Sequence, residues 1–221
     1  MNTARKYNMI NYSGINYSMI NYSMINGIAA DYLNINDRVI HYGDGLFETI
    51  LCSNNKLFYW KQHYQRLQLS SKRLKISCPD ERLLLNDIND LLAGNKSSAK
   101  NSGVIKIIIS RGSGERGYKI SKAMNANRLV LLSAIEADYS SLLSGRLLTG
   151  DLYLCEHQVS INESLAGLKH LNRLENVMAR NEWNNNRDKN IIDGLMINAN
   201  QHVIEGTMSN FFAVKDNQYS E

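Results

Sequence analysis

The sequence predicts an α/β protein (α+β) of two domains, and three observations carry that expectation. Apolar runs of strand length alternate with segments whose apolar residues recur at helical intervals. A polar stretch, "EADYSSLLSG" at 136–145, separates two halves. The second half holds several strand patterns and one clear helix pattern. The 221 residues, 43% of them hydrophobic, suffice for one large domain or two small ones. The expected organisation is a low-complexity extension over 1–23, a small α/β domain over 24–135, a linker over 136–145 and a second domain over 146–221.

The extension repeats Asn-Tyr-Ser at 11, 16 and 21. A five-residue period matches neither helix nor strand, so this tract is expected to be disordered or loosely attached. Ordinary sequence starts at Met24. "GLFETILC" and "KLFYW" read as two strands joined by the turn Ser53-Asn54-Asn55. "KQHYQRLQLSSKRL" carries Tyr64, Leu67 and Leu74 at helical spacing, and "ERLLLNDINDLL" carries Leu84, Ile88 and Leu91. Pro79 separates these two helices. "GVIKIIIS" and "NRLVLLSAI" are β-branched apolar runs, expected to be strands buried on both faces or nearly so. Past the linker, "RLLTGDLYLC" reads as a strand. In "SLAGLKHLNRLENVMAR", from Ser164 to Arg180, Leu165, Leu168, Leu171, Leu174 and Val177 predict one side of an amphipathic helix. "DGLMINANQHVIEGTMSNFFAVKDN" then reads as three strands joined by turns.

Composition narrows the class. No apolar run is long enough to span a bilayer, and the N-terminus lacks the pattern of a secretory signal, so a cytoplasmic enzyme or binding protein is expected. Cys52, Cys78 and Cys155 are odd in number and form no C-x-x-C pair, so they are expected to be reduced structural thiols, with no metal site. The formal charge of +4 suits a small anionic ligand. No basic stripe with interleaved aromatics points to nucleic acid.

Several stretches could carry chemistry. In "RGSGERGY", Gly112, Gly114 and Gly117 fit G-x-G-x-x-G after a strand. No amphipathic helix follows, so the free N–H groups that hold a pyrophosphate are missing. A glycine loop presenting Arg116 and Tyr118 to a cleft suits these residues better. "HYGDGLFETI" reads as a turn leading into a strand, and Arg66 in "HYQRL" as a solvated arginine. Glu205, beside Ile204 in "VIEGTMSNFF", would be partly buried and need a partner. Lys169 sits among leucines. Most such lysines snorkel to solvent, whereas one in a partly desolvated pocket has a lowered pKa and can form a Schiff base. The residue alone leaves both open.

In order and spacing, however, Gly43-Asp44-Gly45, Arg66, Lys169 and Glu205 resemble the fold-type IV pyridoxal-phosphate enzymes, from about Met24 onward. That family includes branched-chain and D-amino-acid aminotransferases and 4-amino-4-deoxychorismate lyase. "KIIISRGSGERGY" and "LAGLKHLNRLENV" resemble segments of the lyase. The resemblance implies a two-domain D-amino-acid-aminotransferase-like fold whose second domain helps to bind pyridoxal 5'-phosphate. It implies that Lys169 holds this cofactor covalently and transfers protons, that Glu205 pairs with the ring nitrogen, and that Arg66 binds the phosphate. Asn210 would lie near the cofactor, and Arg116 and Tyr118 would contact a substrate carboxylate and hydroxyl. The implied reaction is elimination of pyruvate from 4-amino-4-deoxychorismate to leave 4-aminobenzoate, a folate precursor, in a homodimer. The rivals are an aminotransferase acting on D-amino or branched-chain substrates, and an inactive remnant. The family pattern continues beyond "SNFFAVKDNQYSE", so the second domain is expected to be incomplete and "NFFAVKD" an unpaired edge strand.

Overall fold

The computed structural model describes residues 6–7, 22–94, 103–121, 124–134, 149–183, 190–215 and 218–220. In chain order its elements begin with β1 (Lys6–Tyr7), β2 (Tyr22–Ile25), β3 (Ile28–Ala29), α1 (Arg38–Tyr42), β4 (Gly45–Ser53) and β5 (Lys56–Leu57). Next come α2 (Trp60–Leu74), α3 (Glu81–Gly94), β6 (Gly103–Ser110), β7 (Asn127–Ala134) and β8 (Gly150–Leu154). The remainder is α4 (Leu174–Arg180), β9 (Ile191–Ile197), β10 (Val203–Gly206), β11 (Ala213–Lys215) and β12 (Gln218–Ser220). The chain divides into two compact units: Asn16–Glu136 with Gly167–Asn172, and Met1–Ile15 with Ala137–Ala166 and Arg173–Glu221.

The first unit is built on a six-stranded sheet in the order β3-β2-β7-β6-β4-β5, antiparallel throughout. Alternation along the strands sorts their side chains. Leu46, Ile50 and Cys52 of β4, Ile105, Ile107 and Ile109 of β6, and Val130 and Leu132 of β7 are buried together with Leu67 of α2 and Leu84, Ile88, Leu91 and Leu92 of α3. Each fully buried Leu or Ile here contributes about 1.5–3 kcal/mol of transfer free energy. Of the central strand β6 only Lys106 is exposed, as its near-continuous apolar run implies. Both predicted helices form. Asp80 Oδ1 accepts the Arg82 N–H (2.8 Å) at the start of α3, just past Pro79, whose carbonyl accepts the Tyr64 hydroxyl (3.0 Å).

Two expectations in this region fail. "KLFYW" is not one strand: β5 is only Lys56–Leu57, Tyr59 takes a left-handed φ of 54°, and Trp60 opens α2. The Trp60 indole N–H donates to Glu81 (2.7 Å) and its ring stacks on Tyr64, which commits it to the helix. The helix read over Ser164–Arg180 is also absent over most of its length. Residues 163–167 turn, 168–173 run without helix, and only Leu174–Arg180 is helical. Gly167 has φ +73°, a left-handed conformation that glycine takes at no steric cost and that interrupts a helix. Leu174 and Val177, expected to face a core, are 72% and 52% exposed.

The second unit carries a four-stranded sheet in the order β1-β8-β9-β10, with β8 and β9 parallel and the other pairs antiparallel. Its core gathers Cys155, Ala179, Trp183 and Met196, flanked by Tyr153, Val159 and Ile191. β11 pairs with β12 in a two-stranded sheet, so the strand at 213–215, expected to be unpaired, has one partner and keeps one open edge. Part of the N-terminal repeat tract also forms strand: Tyr22 and Ser23 lie in β2, which pairs with both β3 and β7. Residues 8–21, the predicted linker at 136–145 and the start of "RLLTGDLYLC" at 146–148 lie outside the described residues. All three cysteines are free. Burial pushes the Cys52 thiol up to about 11 and the Cys155 thiol up to about 12, so both stay protonated. No helix among the described residues is long and apolar enough to cross a membrane.

Candidate active site

Lys169 owes its position to backbone pairing. The Phe47 N–H donates to the Lys169 carbonyl (2.9 Å), the Leu171 N–H donates to the Gly45 carbonyl (3.1 Å), and Leu46 bridges to His170. The segment thus runs antiparallel to the first residues of β4, beyond the reach of β5, which pairs only with Cys52 and Ser53. Leu168 buries its side chain. Lys169 is half-buried, and its Nζ lies 4.6 Å from the centre of the Phe47 ring. Lys106 Nζ lies 5.3 Å from the same ring. A cation over an aromatic face gains about 0.5–1 kcal/mol at an exposed site and about 2 kcal/mol when desolvated. Asn172 Nδ2 donates to the Gly43 carbonyl (3.4 Å) and closes the segment against the Gly43-Asp44-Gly45 turn.

The next residue of β4 points to the other face. Glu48 is 1% exposed and lies in phase with Leu46 and Ile50. Arg66 Nε donates to Glu48 Oε1 (2.7 Å) and Arg66 Nη2 to Oε2 (2.6 Å), while His63 Nδ1 stands 2.7 Å from Oε2. Burial by itself would raise the Glu48 pKa, but hydrogen bonds and charge from Arg66 and His63 hold it below the usual carboxylate range. The Arg66 side chain is 42% exposed. Its guanidinium is fixed on a buried anion, while part of the side chain reaches solvent.

A second carboxylate ties the glycine loop. Asp44 Oδ2 accepts from Arg38 Nε and from Arg111 Nε, each at 2.8 Å. Burial pushes the Asp44 carboxyl up, and the hydrogen bonds from Arg111 and Arg38 more than reverse that. Arg111 also donates to the carbonyls of Lys75 and Leu74 (2.8 and 2.9 Å), closing the C-terminal end of α2. Arg38 donates to the Gly117 and Tyr118 carbonyls (2.8 and 3.4 Å). Gly112 takes φ +93°, and a Cβ there would stand 1.9 Å from the Asn125 carbonyl oxygen, so no other residue fits. Arg116 and Tyr118 are exposed on this pinned loop, with the Tyr118 ring 5.2 Å from that of Tyr42. No helix follows within the described residues before β7, which agrees with rejecting a dinucleotide motif.

In the second unit Glu205 stands on β10 opposite Met196. Its Oε1 accepts from Arg173 Nη1 (3.2 Å) and Asn176 Nδ2 (3.1 Å), the partners that a half-buried carboxylate requires. The Asn176 amide also donates to the Thr207 carbonyl (3.3 Å). The following turn is organised by Asp193, 3% exposed, which accepts the hydroxyls of Thr207 and Ser209 and the Ser209 N–H (3.2 Å). Asn210 is exposed just past this turn.

The profile of the class IV amino-transferase family matches residues 45–220. The chain belongs to this family. It is 34% identical to the aminodeoxychorismate lyase of Vibrio harveyi over 190 residues, covering 86% of this chain and 66% of that protein. It is 23% identical to a D-alanine aminotransferase of Listeria monocytogenes, covering 83% and 60%. The chain thus spans about two thirds or less of the length of these relatives. Among solved structures, the 4-amino-4-deoxychorismate lyase of Pseudomonas aeruginosa matches at 32% identity with a TM-score of 0.76, over 89% of this chain and 68% of that one. The branched-chain aminotransferase of Escherichia coli shares the fold at 20% identity and a TM-score of 0.73, over 91% and 67%. The fold is that of the fold-type IV pyridoxal-phosphate enzymes.

Within this class IV chain, consecutive residues of β4 seat two expected site residues: Phe47 meets Lys169, and Glu48 meets Arg66. Arg116 and Tyr118 belong to the same unit, whereas Glu205 and Asn210 belong to the other. The side chains that orient these residues escaped the sequence reading. Glu48 and Asp193 had a legible signal, an acid at the buried phase of an apolar strand, which must be paired to be tolerated. Arg111 and Asn176 had none, because each lies far in sequence from the group it holds, and Arg38, six residues before Asp44, stands in no pattern that marks the pair.

Proposed function

We propose that the chain acts as a pyridoxal-phosphate-dependent lyase that converts 4-amino-4-deoxychorismate into 4-aminobenzoate and pyruvate, as a cytoplasmic homodimer. Its identity to two lyases, 34% and 32%, against 18–27% to the aminotransferases, carries this reading. The donor set fits the cofactor: an amine for its aldehyde at Lys169, a guanidinium for its phosphate at Arg66, and a carboxylate for its ring nitrogen at Glu205. When bound, pyridoxal phosphate supplies an electron sink for negative charge at the amine-bearing carbon. Lys169 Nζ then moves the proton at that carbon. Glu205, kept in place by Arg173 and Asn176, favours the protonated ring nitrogen. Arg66, locked on Glu48, meets the phosphate with charge-assisted hydrogen bonds. Asn210 contributes beside the cofactor, and the Arg116 guanidinium and Tyr118 hydroxyl on the pinned loop receive the carboxylates of the dianionic substrate. The ring C–H and the ether C–O bond break, the ring becomes aromatic, and the group leaves as enolpyruvate, which takes up one proton at its methylene carbon to become pyruvate, balancing the proton lost from the ring.

The aminotransferase alternative uses the same lysine, arginine and glutamate, and D-alanine aminotransferases align over 83% of the chain. One pair of assays separates the two. Equal amounts of 4-aminobenzoate and pyruvate from 4-amino-4-deoxychorismate, with no glutamate formed from amino donors and 2-oxoglutarate, are the outcome for the lyase. Glutamate without 4-aminobenzoate would reverse the assignment.

A further inference from the structure

Arg66 lies on a helix face, and a long side chain there samples many rotamers unless something holds it. Glu48 supplies the hold. Its two oxygens take separate guanidinium N–H donors at 2.7 and 2.6 Å, a fork geometry that fixes the guanidinium plane as well as its position. The carboxylate itself does not move freely, because it stands 1% exposed on β4 between the buried Leu46 and Ile50. His63, one helical turn before Arg66, closes the remaining side at 2.7 Å from Oε2. Burying an acid on an otherwise apolar sheet face is costly, and packing alone would be served by a leucine.

We propose that Glu48 is a positioning residue for the anion that Arg66 binds: it pre-orients the guanidinium, so that the phosphate pays little to order it. This rests on the assignment of Arg66 to the cofactor phosphate. The consequence is specific. Glu48 governs how much better the chain holds pyridoxal phosphate than pyridoxal, which lacks the phosphate, and leaves affinity for the pyridine ring itself alone.

The test measures both affinities by tryptophan quenching in wild type, Glu48→Gln, Glu48→Asp and Arg66→Lys, with circular dichroism to confirm folding. The preference for pyridoxal phosphate is expected to fall about tenfold or more in each variant, the worth of one charged hydrogen bond, with pyridoxal affinity changed less than twofold. Arg66→Lys retains the charge and leaves the buried residue intact, so it remains informative should the Glu48 variants fail to fold. An unchanged preference in any folded variant overturns the positioning role, as does an equal loss for both ligands. A wild-type chain that holds the two ligands equally well overturns instead the assignment of Arg66.

Discussion

Lys169 shows how far a residue's chemistry depends on what lies beside it rather than on its neighbours in sequence. Its half-buried amine rests against Phe47 because the chain pairs with β4 at that point, not because leucines surround it on a helix. In the proposed mechanism, replacement by alanine removes both the covalent link and the proton carrier. Lys169→Ala is therefore expected to abolish formation of 4-aminobenzoate, beyond the roughly 10²–10⁴-fold worth of a general base alone; substantial turnover in that variant would refute the role. Glu48 and Asp44 lead to a prediction on pH. Both carboxyls sit below their ordinary values in the folded chain, so the stability they add is complete above the usual carboxylate range and is lost as pH falls through their depressed values. Glu48→Gln should be destabilised by about 1.5–3 kcal/mol near neutral pH. In denaturant titrations the gap between the variant and wild type should close as pH drops below about 4.

At the scale of elements, β4, β6 and β7 were legible as apolar runs of strand length, and α2 and α3 from their helical spacing. The segment at 164–173 was not, although the reason is simple. Its leucines recur every three residues, and three residues advance a helix by about 300°, so five such positions wrap around the helix instead of forming a stripe. Gly167 and the unpaired edge of β4 then decide the matter in favour of an extended segment. Leu168 is its anchor, 5% exposed. Leu168→Ala should cost about 2–5 kcal/mol and speed hydrogen exchange at the Phe47 amide, whose acceptor is the Lys169 carbonyl. Unchanged exchange with lowered stability would show that the leucine fills a core without docking the segment. The turn after β10 was legible as a turn, but not its cause: Asp193 is remote in sequence from the hydroxyls it collects.

Across the whole molecule, family and fold could be read from a few residues because the residue types that handle one cofactor recur in one order. Most of the groups that orient them could not, since Arg38, Arg111 and Asn176 act through contacts made only on folding. The expected donor residues are divided between the two units, and each is held by bonds within its own unit, Arg66 on Glu48 in one and Glu205 on Arg173 and Asn176 in the other. If that set accepts the cofactor, pyridoxal phosphate at 100 times its dissociation constant should stabilise the fold by about 2.7 kcal/mol, visible as a rise in Tm. The most direct test is to incubate the chain with pyridoxal phosphate, reduce with borohydride and map the adduct by peptide mass spectrometry. One equivalent on Lys169 is the expected result, whereas no adduct, or label scattered over exposed lysines, would contradict the account.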